Sequence, residues 1–140
     1  MKQVVAAIIE RKDRRLLIGQ RRREDTSPLK WEFPGGKVRD GERLEKALAR
    51  ELREELSVTM TKSRKIAEVR YQYANFPEEL EIHFFAAAIA ETEIEPHTFE
   101  RVEWVFPKEL ASYDFLAANR RLIAELATGK IKPGEVLESE

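Results

Sequence analysis

The chain has 140 residues, 42% of them hydrophobic, which fits one domain with a buried core. Its 25 basic and 26 acidic residues give a formal net charge of -1. That balance argues against a nucleic-acid polymer as the main ligand, although it allows a single nucleotide. The absence of cysteine excludes disulfides, zinc–thiolate sites and cysteine nucleophiles.

The first predicted element is a buried strand at residues 4–9, a continuous run of β-branched residues and alanines. This run is too short to span a membrane. It also lacks the small-residue cleavage site of a signal peptide. We therefore predict a cytoplasmic protein without membrane association.

The later elements follow from apolar periodicity and from the positions of glycine and proline. Strands are predicted at 15–20, 31–33, 66–74, 80–90 and 102–106, helices at 42–56 and 115–127, and a helical turn at 107–110. Interruptions are predicted at Pro34-Gly35-Gly36, at the turn Asn75-Phe76-Pro77 and in the polar stretch 91–101. This order indicates an α/β protein of the α+β type, with helices on the faces of a mixed β-sheet. We expect one domain over residues 1–131 and a frayed acidic tail over 132–140.

The helix at 42–56 carries carboxylates on its apolar side. At about 100° per residue, Leu44, Leu48 and Leu52 form one stripe. The same geometry places Glu51 and Glu55 inside that stripe. Glutamates on a helix usually lie on its solvated face, paired with basic residues. A carboxylate that faces the core must instead be paired, protonated or bound to a metal, and oxygen ligands suit Mg²⁺ or Mn²⁺.

A pair of glycines, Gly35 and Gly36, lies ahead of this helix. Glycine lets the backbone approach a ligand closely, so a carbonyl of this segment could complete a metal site. Most such pairs are ordinary turns. The Gly-x4-Gly-Lys-Ser/Thr pattern of a P-loop is absent.

The segment GKVRDGERLEKALARELREELSV resembles the Nudix box, G-x5-E-x7-R-E-U-x-E-E-x-G-U, where U is a bulky aliphatic residue. The matching positions are Gly36, Glu42, Arg50, Glu51, Leu52, Glu54, Glu55 and Val58. Ser57 differs, because the family has a glycine at this position just past the helix end. The resemblance to the MutT-like branch of the family extends over most of the chain.

This resemblance implies an α/β/α sandwich and a set of metal ligands. Glu51 and Glu55 would bind Mg²⁺ or Mn²⁺, and Glu54 would be a further ligand or a close partner with a catalytic role. The carbonyl of Gly35 would face the metal. The residues that would organise the box are Gly36, Glu42 and Arg50.

The implied reaction is hydrolysis of a nucleoside triphosphate to the monophosphate and pyrophosphate by a metal-activated water. Family members often carry a further glutamate in the loop before a late strand. We favour Glu100 as this catalytic base or extra ligand, with Glu95 as the alternative. Both could instead be solvated loop charges.

Substrate contacts are implied outside the box. Arg21 and Arg22 follow the second strand, where MutT-like proteins carry an Arg-Arg pair, and guanidinium groups suit phosphate. Lys37 would add another cation. Either arginine could instead belong to a solvated face.

The base would be read by Asn119, which matches the asparagine that MutT-like enzymes use for an oxidised guanine. The alternative is that Asn119 bonds to backbone near the start of the last helix. Phe33 and Phe115 could pack against the base, although aromatics at such positions are more often core.

The predicted activity is therefore a MutT-like pyrophosphohydrolase acting on 8-oxo-dGTP, as a monomer or homodimer whose partner is a nucleotide substrate. An enzyme of the same fold for CTP, dCTP or a nucleotide sugar such as ADP-ribose is the alternative. A regulatory module that binds nucleotide without turnover is a further one.

Overall fold

The computed structural model describes residues 1–74, 77–91 and 93–138. The strands are β1 Lys2–Ile9, β2 Leu16–Gln20, β3 Trp31–Glu32, β4 Gly35–Lys37, β5 Met60–Tyr71, β6 Leu80–Ile89 and β7 Arg101–Val105. The α-helices are α1 Leu44–Leu56, α2 Arg120–Ala127 and α3 Pro133–Glu138, and two 3₁₀ helices cover Pro107–Ser112 and Ala117–Asn119. None of these helices is long and apolar enough to cross a bilayer.

The strands form a four-stranded sheet of order β4-β1-β6-β5 and a three-stranded sheet of order β3-β2-β7. β1 and β6 are parallel, whereas the other pairs are antiparallel, so the prediction of a mixed sheet is confirmed. The parallel pair lies at the centre of the larger sheet. A central strand needs apolar residues on both faces, which explains the unbroken apolar run of β1.

Helices cover both faces of the larger sheet. Val5, Ala7 and Ile9 pack with the buried residues of α1, whereas Ala6 and Ile8 pack with those of α2. Successive residues of β1 therefore contribute to two different cores, as the alternation of a strand requires. The result is the predicted α/β/α sandwich.

Helix α1 buries Leu48 and Leu52 of its apolar stripe, leaves Leu44 partly buried, and ends at Ser57. Leu48, Leu52 and Leu56 are fully buried. Ser57 has φ 56° and ψ 40°, which is the left-handed conformation that usually favours glycine. Ser57 thus adopts the left-handed turn that the glycine of the Nudix box would form at this position. The Ser57 hydroxyl also lies 2.7 Å from His97 Nε2, in the loop before β7.

The predicted boundaries are wrong in three places. Gly35 and Gly36 do not break a strand but form β4, which pairs with β1. β5 begins at Met60 rather than at 66. The last long helix begins at Arg120 rather than at 115, because Phe115 lies in a bridge with Trp31 and is held extended.

The frayed tail predicted for 132–140 is also wrong over Pro133–Glu138, which forms α3 and packs against β5 and β6. Pro133 is buried at the first helical position, where its missing N–H costs nothing. The Gly134 N–H donates to the Glu10 carboxylate at 2.6 Å, which ties the helix to the end of β1. Ser139 and Glu140, like Asn75 and Phe76 of the predicted turn, lie outside the described residues.

Candidate active site

The two glycines of β4 lie directly beneath the carboxylates of α1. A Cβ atom on Gly36 would lie 2.3 Å from Glu51 Cδ, and one on Gly35 would lie 1.9 Å from the Val5 carbonyl oxygen. The Gly35 N–H donates to Glu55 Oε1 at 3.0 Å. Strand β4 therefore fits between β1 and α1 only because it has no side chains at these positions. It holds Glu51 and Glu55 together on the side of the helix that faces the sheet.

Arg50 connects the carboxylates to the loop that precedes α1. Its Nε and Nη2 donate to the two oxygens of Glu42 at 2.9 and 3.0 Å, and Nη2 also donates to the Lys37 carbonyl at 3.0 Å. Its Nη1 donates to Glu51 at 2.8 Å and to Glu54 at 3.2 Å. The planar guanidinium can satisfy all four partners at once, whereas an ammonium group has no such geometry. This supports the organising role expected for Glu42 and Arg50.

Glu54 differs from its two neighbours on α1. Its side chain is 48% exposed, against 17% for Glu51. Besides Arg50, it has an ion pair with Arg39 at 3.8 Å. Glu54 thus lies at the solvent edge of the site, next to the residues that face inwards.

Burial and mutual repulsion make the inward carboxylates costly to ionise. Burial, together with the charges of Glu32 and Glu51, raises the pKa of Glu55 to about 8. Burial also raises the pKa of Glu51, against the opposing effect of Arg50. Carboxylates that are buried and repel one another are suitable ligands for a hard divalent cation. Such a cation would offset both the cost of burying their charge and their mutual repulsion.

Glu32 is a residue that the sequence analysis missed. Burial raises its pKa to about 7, although Arg21 opposes the shift, and its charge acts directly on Glu55. Trp31 is buried in the core, so alternation along β3 turns Glu32 towards the opposite face. A two-residue strand shows no periodicity. The large apolar side chain of Trp31 could nevertheless have indicated that the neighbouring Glu32 faces away from the core that Trp31 joins.

The loop before β7 is hydrogen-bonded to the end of α1. The Glu95 N–H donates to the Leu56 carbonyl at 3.1 Å, and the His97 N–H donates to the Glu55 carbonyl at 2.9 Å. The Thr98 hydroxyl donates to Glu55 Oε2 at 3.3 Å. Thr98 is therefore a second missed residue, and it contacts a predicted metal ligand.

Glu100 and Glu95, the candidate bases in this loop, are both exposed to solvent. Glu100 is anchored through its backbone N–H, which donates to the Gln20 carbonyl at 2.8 Å. The Glu95 side chain is 75% exposed and lies 3.8 Å from His97 Nε2. A role for either as base or ligand stays a prediction.

Arg21 and Arg22 both lie on the side of the site formed by Glu32 and the loop. Arg21 donates to Glu32 at 3.3 Å and to the Thr26 carbonyl at 2.7 Å. Arg22 donates to the His97 carbonyl at 2.8 Å. The structure therefore places the Arg21 guanidinium beside the Glu32 carboxylate and the Arg22 guanidinium on the loop that contacts Glu55. Lys37, by contrast, is exposed and contributes its carbonyl to Arg50.

The residues predicted to meet the base are buried. Phe33 and Phe115 are each 3% exposed, and their ring centroids lie 5.3 Å apart in the core on the α2 side. Asn119 is 6% exposed and makes no capping side-chain bond to α2, which disfavours the capping alternative. The neighbouring Ala118 N–H donates to the Tyr73 hydroxyl at 3.1 Å. Tyr73 therefore packs against the segment that carries Asn119.

Comparisons with known proteins agree with this site. The model of the NUDIX domain family matches residues 1–126. The CTP pyrophosphohydrolase of Escherichia coli is 32% identical over 136 residues, which cover 96% of this chain and 98% of that protein. The 8-oxo-dGTP diphosphatase of Haemophilus influenzae is 34% identical, with 89% and 90% covered.

The fold agrees as well. The solution structure of the E. coli ORF135 protein superposes with a TM-score of 0.76 at 30% identity, covering 93% of this chain and 91% of that one. The family match extends over almost the whole chain and includes the helix and glycines described above. The chain therefore belongs to the Nudix hydrolase family, in its MutT-like branch.

Proposed function

We propose that this protein hydrolyses a nucleoside triphosphate to the monophosphate and pyrophosphate, with Mg²⁺ or Mn²⁺ held by α1. The supporting observation is the placement of Glu51 and Glu55, one turn apart, against a glycine strand that leaves room for nothing larger. Two carboxylates that face a sheet are costly to bury unless a partner such as a metal ion offsets their charge. Nudix hydrolases as a family depend on divalent metals, and these residues fit that requirement.

The metal would be held by Glu51 and Glu55, with Glu54 and the Gly35 carbonyl as the remaining candidates from the box. When bound, it would neutralise charge on the phosphates and lower the pKa of a water. The protein holds the ligands in place through Arg50 and through the Gly35 N–H. We infer that Arg21 and Arg22 orient the phosphate chain, because Arg21 lies beside Glu32, Arg22 binds the loop that contacts Glu55, and guanidinium groups suit phosphate oxygens.

Proton removal from the water needs a carboxylate beside the ligands. Glu54 and Glu100 are our candidates. Glu54 is one residue from Glu55 and half-exposed, so it can reach a solvent molecule at the edge of the site. Glu100 lies in the loop that contacts Glu55 through Thr98. Separate Gln substitutions distinguish them, because loss of a general base lowers kcat without abolishing metal binding.

For the base we propose an oxidised purine, 8-oxoguanine, read by Asn119. The amide both donates and accepts, which a purine edge requires. Asn119 is buried, and its neighbour Ala118 donates its N–H to the Tyr73 hydroxyl. A cytosine nucleotide is the second candidate, and it is favoured by the similarity to the E. coli CTP pyrophosphohydrolase.

The decisive experiment measures pyrophosphate release with Mg²⁺ or Mn²⁺ from 8-oxo-dGTP, dGTP, CTP, dCTP and, by phosphate-bond cleavage, ADP-ribose. We expect 8-oxo-dGTP to have the highest kcat/KM. A preference for CTP or dCTP would assign the second candidate. Nucleotide binding without turnover of any compound would contradict the enzymatic proposal and favour a regulatory module.

Asn119→Ala tests the base-reading step. Asn119→Asp is a second, near-isosteric variant that removes only the amide donor. We expect both variants to lose the preference for 8-oxo-dGTP over dGTP while they keep metal binding. An unchanged preference in both would show that other residues read the base.

A further inference from the structure

A second group of metal-ligand side chains lies away from α1, on the neighbouring strands β5 and β6. Glu68, Glu81 and His83 each offer one ligand atom, and these atoms all lie within 4.8 Å of one another. Neither the Nudix box nor the proposed reaction uses any of the three. Clusters of exposed acidic groups are common without a ligand, so the two glutamates without the histidine would not indicate a site.

His83 is buried, and one of its ring nitrogens is unsatisfied. The residue is 3% exposed, and within the described residues its Nδ1 is the buried side-chain atom without a hydrogen-bond partner. Nε2 lies 3.0 Å from Glu81 Oε1, and Nδ1 lies 3.4 Å from Glu68 Oε1. Both nitrogens therefore face carboxylate oxygens.

This arrangement is unsatisfactory for a neutral imidazole. A neutral ring has one N–H donor and one lone pair, so one of its nitrogens must direct a lone pair at an acceptor. Two states remove this conflict. Either the ring carries a second proton, or a cation lies between the nitrogen and the carboxylate.

The geometry favours the cation. Nitrogen and oxygen ligands lie about 2.0–2.1 Å from zinc, so two ligands of one tetrahedral ion are about 3.3 Å apart. The 3.4 Å between His83 Nδ1 and Glu68 Oε1 matches this separation and is long for a charge-assisted hydrogen bond. Glu81 Oε1 lies at the other ring nitrogen, Nε2, so it accepts the Nε2–H and orients the imidazole for an ion at Nδ1.

The surrounding charges allow an ion to enter. Glu68 also pairs with Lys65, and Glu81 pairs with Arg70 at 3.2 Å. Both cationic side chains are exposed, at 39% and 59%, so they can move into solvent when an ion replaces them. An ion that binds here must displace Lys65 from Glu68, so an ion that binds its ligands weakly would not hold this site. The imidazole therefore selects a transition-metal ion over Mg²⁺, which prefers oxygen ligands.

The cluster is separate from the catalytic carboxylates, although it lies on the same face of the sheet. Gly36, Val5, His83 and Glu68 are direct neighbours on the strands β4, β1, β6 and β5. His83 is thus two strands from Gly36, about 10 Å at the usual strand spacing. Glu51 lies above Gly36, so an ion at His83 would not share its ligands.

We propose that His83 Nδ1 and Glu68 form a second metal site, with Glu81 orienting the imidazole ring from Nε2, and that this site takes a divalent transition-metal ion, Zn²⁺ in the first instance. A bound ion would add a cross-link between the paired strands β5 and β6 at the edge of the larger sheet. Because such an ion binds the folded chain, it raises the temperature of unfolding.

The test is a Zn²⁺ titration of the full chain in excess Mg²⁺, which occupies the α1 carboxylates. The chain has two histidines, so His97→Gln is a matched control for His83→Gln. We expect the wild type and His97→Gln to bind one Zn²⁺ by calorimetry with a rise in Tm. His83→Gln should lose at least tenfold in affinity. In NMR spectra Zn²⁺ should shift the ring resonances of His83.

A second pair of variants covers the case in which His83→Gln does not fold. Glu68→Gln removes one ligand at a half-exposed position, and Glu79→Gln makes the same charge change at an exposed residue nearby. Only Glu68→Gln should weaken Zn²⁺ binding. The proposal is overturned if Zn²⁺ does not bind, if it shifts His97 alone, or if the His83 ring carries two protons near neutral pH and stays unchanged by Zn²⁺.

Discussion

Glu55→Gln should stabilise the metal-free protein at alkaline pH while it abolishes most of the activity. The carboxyl of Glu55 accepts hydrogen bonds from the Gly35 N–H and from Thr98. A glutamine amide fits the same space, because its oxygen can accept from Gly35 and its NH₂ can donate to the Thr98 hydroxyl. The substitution thus removes a charge that is costly in the folded state and leaves the contacts in place.

The magnitude follows from the pKa. A rise from 4.5 to about 8, at about 1.4 kcal/mol per unit, sets an upper limit of about 5 kcal/mol. Relaxation and water access reduce this, and we expect about 2 kcal/mol. Between these two pKa values the folded protein holds a proton that the unfolded chain releases. The free energy of unfolding therefore falls as the pH rises through this window, and the penalty persists above it.

The assay is urea unfolding with EDTA at pH 5 and pH 8.5 for the wild type, Glu55→Gln and the control Glu45→Gln. Glu45 lies on the exposed face of the same helix. We expect Glu55→Gln to exceed the wild type in free energy of unfolding at pH 8.5, and this difference should be much smaller at pH 5, near the lower end of the window. Saturating Mg²⁺ should narrow the difference, because it stabilises the wild type through binding. Turnover should fall at least about 100-fold, since even a partner of a metal ligand contributes that much.

A Glu55→Gln protein that is less stable than the wild type at pH 8.5 without metal would contradict this prediction. That result would mean that the Glu55 carboxylate is stabilised in the folded state rather than strained there. The same gain in Glu45→Gln would show a general charge effect instead.

Three further substitutions test the rest of the site. Gly36→Ala would place a Cβ 2.3 Å from Glu51 Cδ, so we expect weaker Mg²⁺ binding and lower kcat in a folded protein, and normal Mg²⁺ affinity would contradict the packing argument. Arg50→Lys keeps the charge but loses the fork that joins Glu42 to Glu51, and metal affinity measured by calorimetry should fall about 10- to 100-fold. Glu100→Gln should lower kcat about 100-fold or more if this residue is the base. Activity close to that of the wild type in Glu100→Gln would leave Glu54 as the candidate.

Much of the helix with the carboxylates was predictable because it depends on local geometry. Periodicity alone placed Glu51 and Glu55 on the apolar side of α1, and both are partly buried as expected. The box then identified Arg50 and Gly36, and the structure shows what each does: one holds the carboxylates and the other leaves them room. These residues lie within about one helix and one turn of each other, so spacing along the chain translates into spacing in the fold.

Residues brought in from other elements were not predictable in this way. Glu32 and Thr98 act on Glu55 from 23 and 43 positions away along the chain. The first lies in a strand too short to show alternation, and the second in a loop without periodicity. The extended conformation of Phe115 likewise depends on its bridge to Trp31, which no local pattern reveals.

The sequence by itself determined the phase of α1, the family and the kind of reaction, because helical periodicity and box spacing are local properties. The tertiary structure decided which distant groups share a site. The second metal site shows why: a bulge between Lys65 and Ala67 shifts the register of β5, so that Glu68 rather than Ala67 lies opposite His83. A shift of one residue exchanges the two faces of a strand, and it is set by packing across the whole sheet rather than by the local sequence.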